Sequence, residues 1–353
     1  MENDDMFSKK LLGLKSTLPA LIVADHFNQR PDMARSYSEY QKENFLSDIG
    51  WIISFLAESV WAREPVLFEE FIFWLKTFLI SVGVPAKDLE ESLRLLKARI
   101  NEACSADENN VVNAFLGKAI SQVMADDLKT SLAAMDNTLI PLAQDYLDCM
   151  LKGERNLALS MVLDKVEAGF PMKDLYLQVF QPVQYELGRL WQTNRISVAQ
   201  EHYCTAATQL VMSQLYPYLF TGKRHERKMV AACAPGELHE LGARMVSDFF
   251  EMEGWNTYYL GANMPVNGII NFLGVIKPAL LAISVTMTVN LRTVAEMISQ
   301  IRATPEIPAG MKILAGDYPF RVANDLWQRI GADGWAVNAQ EAVDLAGRLI
   351  SGT

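Results

Sequence analysis

The sequence predicts a multidomain protein: an all-α N-terminal region, a four-helix bundle, and then a doubly wound α/β domain built on a five-stranded parallel sheet. Three observations lead there. The last third alternates short apolar runs with amphipathic stretches. The middle third carries apolar residues at steps of three and four. The first third has the same helical pattern and is dense in aromatic residues. A chain of 353 residues is long enough for two or three domains, and the expected divisions are 1–133, 134–222 and 227–353.

In the N-terminal region Trp51, Phe55, Trp61, Phe68, Phe71, Phe73, Trp74 and Phe78 crowd one short stretch. Glu64-Pro65 and Val84-Pro85 mark expected helix boundaries, because the residue before proline is disfavoured in helix. The aromatics either fill the core of this helical region or line a pocket for a flat, conjugated ligand. In the middle region helices are expected near 139–152 and 154–168. Leu175, Val179, Val183, Leu187 and Leu190/Trp191 then form one apolar stripe, which Asn194 and Arg195 interrupt. Ser197-Val198-Ala199-Gln200 has the form of a capping box, so a further helix should run from Val198 to about Leu219.

Beyond residue 227 the expected strands are Lys228–Cys233, Asn256–Leu260, Ala279–Val285, Lys312–Ala315 and Trp335–Val337. Amphipathic stretches near 238–252, 265–276, 289–303, 319–330 and 339–351 separate them. Strands joined by helices imply right-handed crossovers and a sheet covered on both faces, a flavodoxin-like, Rossmann-type arrangement. Such sheets bind ligands outside the carboxyl ends of their strands.

The bulk numbers narrow the function. Half the residues are apolar, as in a globular chain. A net charge of −10 argues against nonspecific binding to nucleic acid or to an anionic membrane surface, and no helix-turn-helix or basic arm is visible. The apolar stretch from Gly268 to Val285 is broken by Asn271, Lys277 and Pro278, unlike a membrane span. Met1-Glu2-Asn3-Asp4-Asp5 is acidic, unlike a secretory signal. Cys104, Cys149, Cys204 and Cys233 form no Cys-x-x-Cys pair and read as reduced thiols in a cytoplasmic protein.

Glu237-Leu238-His239-Glu240-Leu241-Gly242 places an imidazole on a strand-to-helix loop, an acid two residues before it and a glycine three residues after. Histidine is a common metal ligand, and metal-bound histidines usually give their second ring proton to a carboxylate. This segment resembles the Asp-x-His-x-x-Gly signature of cobalamin-binding domains, with Glu237 for Asp. That family continues with Ser-x-Leu and a Gly-Gly pair. Here Ser284-Val285-Thr286 begins after 41 intervening residues from Gly242, and Ala315-Gly316 follows after 28 more. Thr286 and Ala315 depart from the pattern. In the bundle, Trp191 is followed by nine residues and Glu201-His202, which resembles the cap of CarH-type cobalamin photoreceptors. The layout, without a DNA-binding domain before the bundle, is similar to photocobilins, which pair cobalamin with biliverdin.

The resemblance implies adenosylcobalamin with His239 as lower axial ligand of cobalt, oriented by Glu237. It implies a nucleotide tail inserted past Gly242, Ser284, Thr286 and Gly316. Trp191, Glu201 and His202 would cover the adenosyl side. CarH-type proteins have a histidine directly after the tryptophan; here Gln192 stands there. The expected role is light sensing, not enzymatic catalysis. Its signal would leave through a light-dependent homo-oligomer or a separate protein effector, with neither nucleic acid nor membrane as partner. Two rivals stand beside it: a corrinoid carrier for methyl transfer, and an interaction scaffold that has lost the cofactor.

Overall fold

A computed structural model describes residues 2–124, 138–219 and 224–351. The chain divides into two compact units, Met1–Asp127 and Leu128–Thr353. The expected boundaries at 133/134 and 222 lie outside the described residues.

The first unit is helical: α1 (Glu2–Leu14), α2 (Leu18–Gln29), α3 (Pro31–Ser36), α4 (Glu39–Ala62), α5 (Pro65–Ser81), α6 (Ala86–Ala103) and α7 (Ala106–Val123). The proline boundaries fall as expected: α5 opens on Pro65, and Pro85 is the N-cap of α6. α4 is long and apolar enough to cross a membrane, yet 72% of its apolar window is buried within the unit. The aromatics divide between two roles. Phe55 and Phe68 are buried, and Phe55 stacks on Phe71 with centroids 3.6 Å apart. Trp51 is exposed, and Trp61, Phe71, Phe73, Trp74 and Phe78 are only half-buried.

In the second unit α8 (Ile140–Leu151), α9 (Arg155–Glu167), α10 (Met172–Leu175) continued into α11 (Gln181–Gln192), and α12 (Val198–Leu219) make the four-helix bundle. Between α10 and α11 the rod widens into a π-helical turn, Tyr176–Phe180. Pro182 follows directly; it has no N–H to donate and its ring crowds the preceding turn, so the helix is pushed out of α spacing. The stripe Leu175, Val179, Val183 and Leu187 is fully buried. The rod ends at Asn194, whose φ of 54° is left-handed. Arg195 N–H donates to Leu190 O and Asn194 N–H to Trp191 O, which closes the last turn. The Ser197/Gln200 capping box forms in both directions, at 2.9 and 3.2 Å, and starts α12 at Val198.

The sheet has the order β2-β1-β3-β4-β5, all parallel, from β1 (Lys228–Cys233), β2 (Asn256–Tyr259), β3 (Leu280–Ser284), β4 (Lys312–Gly316) and β5 (Gly334–Ala336). Helices α13 (Leu241–Met252), α14 (Val266–Ile276), α15 (Leu291–Ala303), α16 (Tyr318–Val322), α17 (Leu326–Arg329) and α18 (Ala339–Ser351) connect and follow the strands. The stretch expected as one helix over 319–330 is broken into α16 and α17. Strand order reverses between β1 and β3, so their carboxyl ends frame the crevice where ligands of such sheets sit. Cys233 pairs with Ser284, and Ser284 with Gly316, which aligns three strand ends in one row.

Bundle and sheet share one core. Leu241, Met245 and Phe249 of α13 and Ala339 of α18 pack with the buried residues of α8, α11 and α12. A polar tie runs through that core: Tyr176 Oη donates to Asp248 Oδ2 at 2.8 Å.

Candidate functional site

The site is a row of loops at the carboxyl ends of β1, β3 and β4, facing the bundle end that carries α12. Glu237 holds the row together. Its carboxylate is fully buried, and Oε1 lies 2.5 Å from His239 Nδ1. Oε2 accepts the Thr286 and Met287 amides at 2.9 Å each and Asn290 Nδ2 at 3.3 Å. Burial alone would push this carboxyl up. The His239 ring, the Met287 amide and the His239 charge outweigh it and hold the group down at about 2. Glu237 is therefore a fixed anion that joins the β1 loop to the β3 loop.

That anion orients His239. Bonding at Nδ1 leaves Nε2 as the free ring nitrogen, with the side chain 58% exposed. The hydrogen bond to Glu237 raises the imidazole above its usual range. Partial burial opposes this, and the charges of Glu237, Asp317 and Glu201 reinforce it. Glu201 belongs to the first turn of α12, so the bundle end acts electrostatically on the histidine of the sheet domain. Among the described residues no cluster of three or more His, Cys, Asp or Glu side chains stands ready to hold a metal ion. His239 thus offers a single nitrogen, which suits a metal that brings its other ligands in a macrocycle.

The loop after β2, Leu260–Pro265, is bound to the same centre. Asn263 Oδ1 accepts the Gly236 amide and Asn263 N–H donates to Glu237 O, each at 2.8 Å. Glu240 links sheet to bundle: Oε1 accepts Gln209 Nε2 at 2.9 Å, and Oε2 accepts Tyr259 Oη at 2.9 Å and the Ala262 amide at 3.1 Å. The sequence reading did not single out Glu240, since an acid beside the histidine looks like a solvated helix start.

Ser284 is buried at the end of β3, and Thr286 follows it in the loop. Thr286 Oγ1 donates to Asp317 Oδ2 at 2.7 Å, and Ser284 Oγ lies 3.4 Å from the same oxygen. Asp317 was missed by the sequence reading. Its backbone has φ 95° and ψ −167°, a region that essentially only glycine occupies, at a cost on the order of 1–3 kcal/mol for other residues. Glycine-type backbone thus falls at Asp317, directly after Gly316, whereas Ala315 lies within β4. A side chain added at Gly242 would meet Asp317 Oδ2 at 3.8 Å, the same oxygen that Thr286 and Ser284 reach.

On the bundle side Trp191 is half-buried at the end of α11, and Gln192 is buried at 4% exposure. His202 Nδ1 lies 2.5 Å from Glu201 Oε2, and its side chain is 74% exposed. From Glu201 a polar chain enters the bundle: Thr205 Oγ1 is 3.0 Å from Glu201 Oε1 and 2.9 Å from Gln184 Oε1, and Gln184 Nε2 donates to Thr208 Oγ1 at 3.1 Å. Tyr146 Oη, fully buried, ends the chain on Thr208 at 3.2 Å. At the mouth Arg321 of α16 donates to Tyr185 Oη of α11 at 3.2 Å.

Known proteins match in three segments. Residues 227–344 and 142–216 each match a family described as B12 binding domain, and residues 23–123 match a family described as Phycobilisome protein. The HTH-type transcriptional repressor CarH of Myxococcus xanthus is 25% identical over 195 residues, 54% of this chain and 63% of that protein. The corrinoid protein DSY3155 of Desulfitobacterium hafniense is 25% identical over 124 residues, 35% of this chain and 56% of that protein. The chain thus spans less than two thirds of the length of these relatives. Among solved structures, the monomethylamine corrinoid protein of Methanosarcina barkeri shares the fold, with a TM-score of 0.52 and 20% identity over 59% of this chain and 98% of that one.

Proposed function

We propose that the chain, whose residues 142–216 and 227–344 each match a B12 binding domain, is a light sensor that holds adenosylcobalamin between bundle and sheet. His239 would take the lower face of cobalt through Nε2, with Glu237 fixing its tautomer and raising its basicity. Ser284, Thr286, Gly242 and Gly316 would line the tail. When bound, adenosylcobalamin supplies a cobalt–carbon bond that visible light breaks. The protein's part is positional. Trp191 and Glu201 would close on the adenosyl side, and loss of that packing would free the bundle end to shift, a two-state switch of the kind ligand release can drive.

One observation carries this reading: Trp191 and the Glu201-His202 pair stand at the bundle end whose Glu201 charge reaches His239. Gln192, where CarH-type proteins have histidine, is buried, so capture of cobalt from that position is not expected. Reconstituted full-length protein should change both its absorption spectrum and its sedimentation after green light. No change in either sinks the light reading. With 15N-histidine incorporated, the cobalt(II) electron paramagnetic spectrum of the parent should show a doublet nitrogen splitting that His239→Ala lacks; a triplet in the labelled parent would remove His239 from the metal.

A carrier for methyl transfer is the second reading, because the dimethylamine corrinoid protein 3 of Methanosarcina acetivorans is 22% identical to this chain over 97% of its own length. Methyl transfer to a substrate in the presence of a partner methyltransferase, with no light response, would establish it. Protein that stays colourless with excess cobalamin would return the scaffold reading.

The N-terminal unit is the place we assign to biliverdin. It contains the Phycobilisome match, and it buries His26 completely with Nε2 unpartnered beside the edge-on ring of Phe45. Expression with biliverdin and cobalamin together should add a long-wavelength bilin band to the corrinoid bands. The signal is expected to leave through homo-oligomerisation or a separate protein effector.

A further inference from the structure

Two departures from the cobalamin-domain pattern bond to each other. Thr286 stands in place of Leu, Asp317 stands on backbone shaped for Gly, and their side chains meet at 2.7 Å. The pair sits among Gly242, Ser284 and Gly316, the residues assigned to the nucleotide tail. A glycine would fit the backbone of Asp317 without strain, so the carboxylate is retained against a local cost. We infer that Asp317, steadied by Thr286, reads the lower nucleotide base of the corrinoid and favours a base bearing N–H donors, such as an aminopurine, over the dimethylbenzimidazole of cobalamin. The inference rests on the corrinoid reading of this site and refines which corrinoid it takes.

The chemistry is one of matching donors to acceptors. An ionised carboxylate only accepts hydrogen bonds. Asp317 receives the Thr286 and Ser284 hydroxyls on Oδ2 and the Tyr318 amide on Oδ1, which leaves a further acceptor site on Oδ1. A benzimidazole released from cobalt brings hydrocarbon edges and an acceptor nitrogen. It would cover the remaining acceptor site on Oδ1 without bonding to it, and a covered acceptor on an anion that goes unmet is costly. An exocyclic amine donates to that oxygen. Sites built to bond a polar group discriminate strongly against analogues that lack it.

The test titrates full-length protein with three corrinoids, followed by absorption and by quenching of tryptophan fluorescence: cobalamin, the cobamide with adenine as lower base, and cobinamide, which has no lower base. The parent should bind the adenine cobamide at least about tenfold tighter than cobalamin, equivalent to about 1.4 kcal/mol. In Asp317→Gly/Thr286→Leu that ratio should fall to unity or invert, while cobinamide affinity stays the same, which also shows that the variant is folded. Cobalamin binding as tightly as the adenine form in the parent, or an unchanged ratio in the variant, overturns the inference and leaves the corrinoid site standing. Failure of all three corrinoids to bind the parent overturns the proposed function and the inference with it.

Discussion

Glu237 and Asp317 are two acids of one site, opposite in cost. Glu237 is buried, yet ring and amide donors meet every side of its carboxylate. Glu237→Ala would strand the Thr286 and Met287 amides and untie two loops, and should lower unfolding free energy in urea by about 2–4 kcal/mol. A loss below about 0.5 kcal/mol would show that water replaces it freely. Asp317 instead sits on unfavourable backbone and recovers part of the cost through Thr286 and Tyr318. Asp317→Ala keeps the strain and loses the bonds, so it should destabilise by about 1–2 kcal/mol. Asp317→Gly loses the bonds but relaxes the backbone, so it should be neutral within about 1 kcal/mol. Equal losses in the two variants would contradict the strain. Of this pair only Glu237 was legible in the sequence, by its spacing from His239. Asp317 follows the recognised Gly316 directly, but only a dihedral angle marks it as the residue standing in for glycine.

At the scale of elements, sequence patterns located the helices and strands because period and punctuation act locally. The Ser197/Gln200 box set the start of α12, and Pro65 and Pro85 set helix starts in the first unit. Ser197→Ala should cost about 1 kcal/mol, read by urea unfolding, since it removes the acceptor for the Gln200 amide. Because α12 opens with Glu201, fraying of that turn should also weaken the influence of Glu201 on His239. The π turn at Tyr176–Phe180 was not legible. The apolar stripe runs through it without a break, since adding one residue to a turn shifts the face without changing residue types. That turn is nonetheless what presents Tyr176 to Asp248 across the bundle–sheet boundary.

At the scale of the whole molecule, the Tyr176–Asp248 contact shows how bundle and sheet are locked. Burial raises the Asp248 carboxyl to about 6, and the bond from Tyr176 offsets only part of that rise. The sign follows from linkage. Below the ordinary carboxyl range, near pH 3, Asp248 is neutral in the folded state and largely neutral in the unfolded one, and its contribution is essentially fully present. As pH rises to about 6 the unfolded chain ionises first, so stability is lost; above that the loss is complete, on the order of 3 kcal/mol. Asp248→Asn keeps an acceptor for Tyr176 without the charge. The variant should therefore match the parent near pH 3 and melt several degrees higher at pH 8. A thermal midpoint that does not rise relative to the parent between those pH values would show that Asp248 ionises without penalty.

The sequence by itself determined the class of fold, the order of strands and helices, and the residues of the histidine loop. Each of these follows from interactions between near neighbours or from a fixed spacing along the chain. Only the tertiary structure decided that Glu237 binds two loops, that Glu240 grips the bundle through Gln209, and that Asp317 meets Thr286 over the tail-lining residues. Those contacts join residues 31 to 50 positions apart, through parallel strand register for Glu237 and Asp317 and through helix packing against the sheet for Glu240. Distance along the chain carries no energy; proximity across the sheet does.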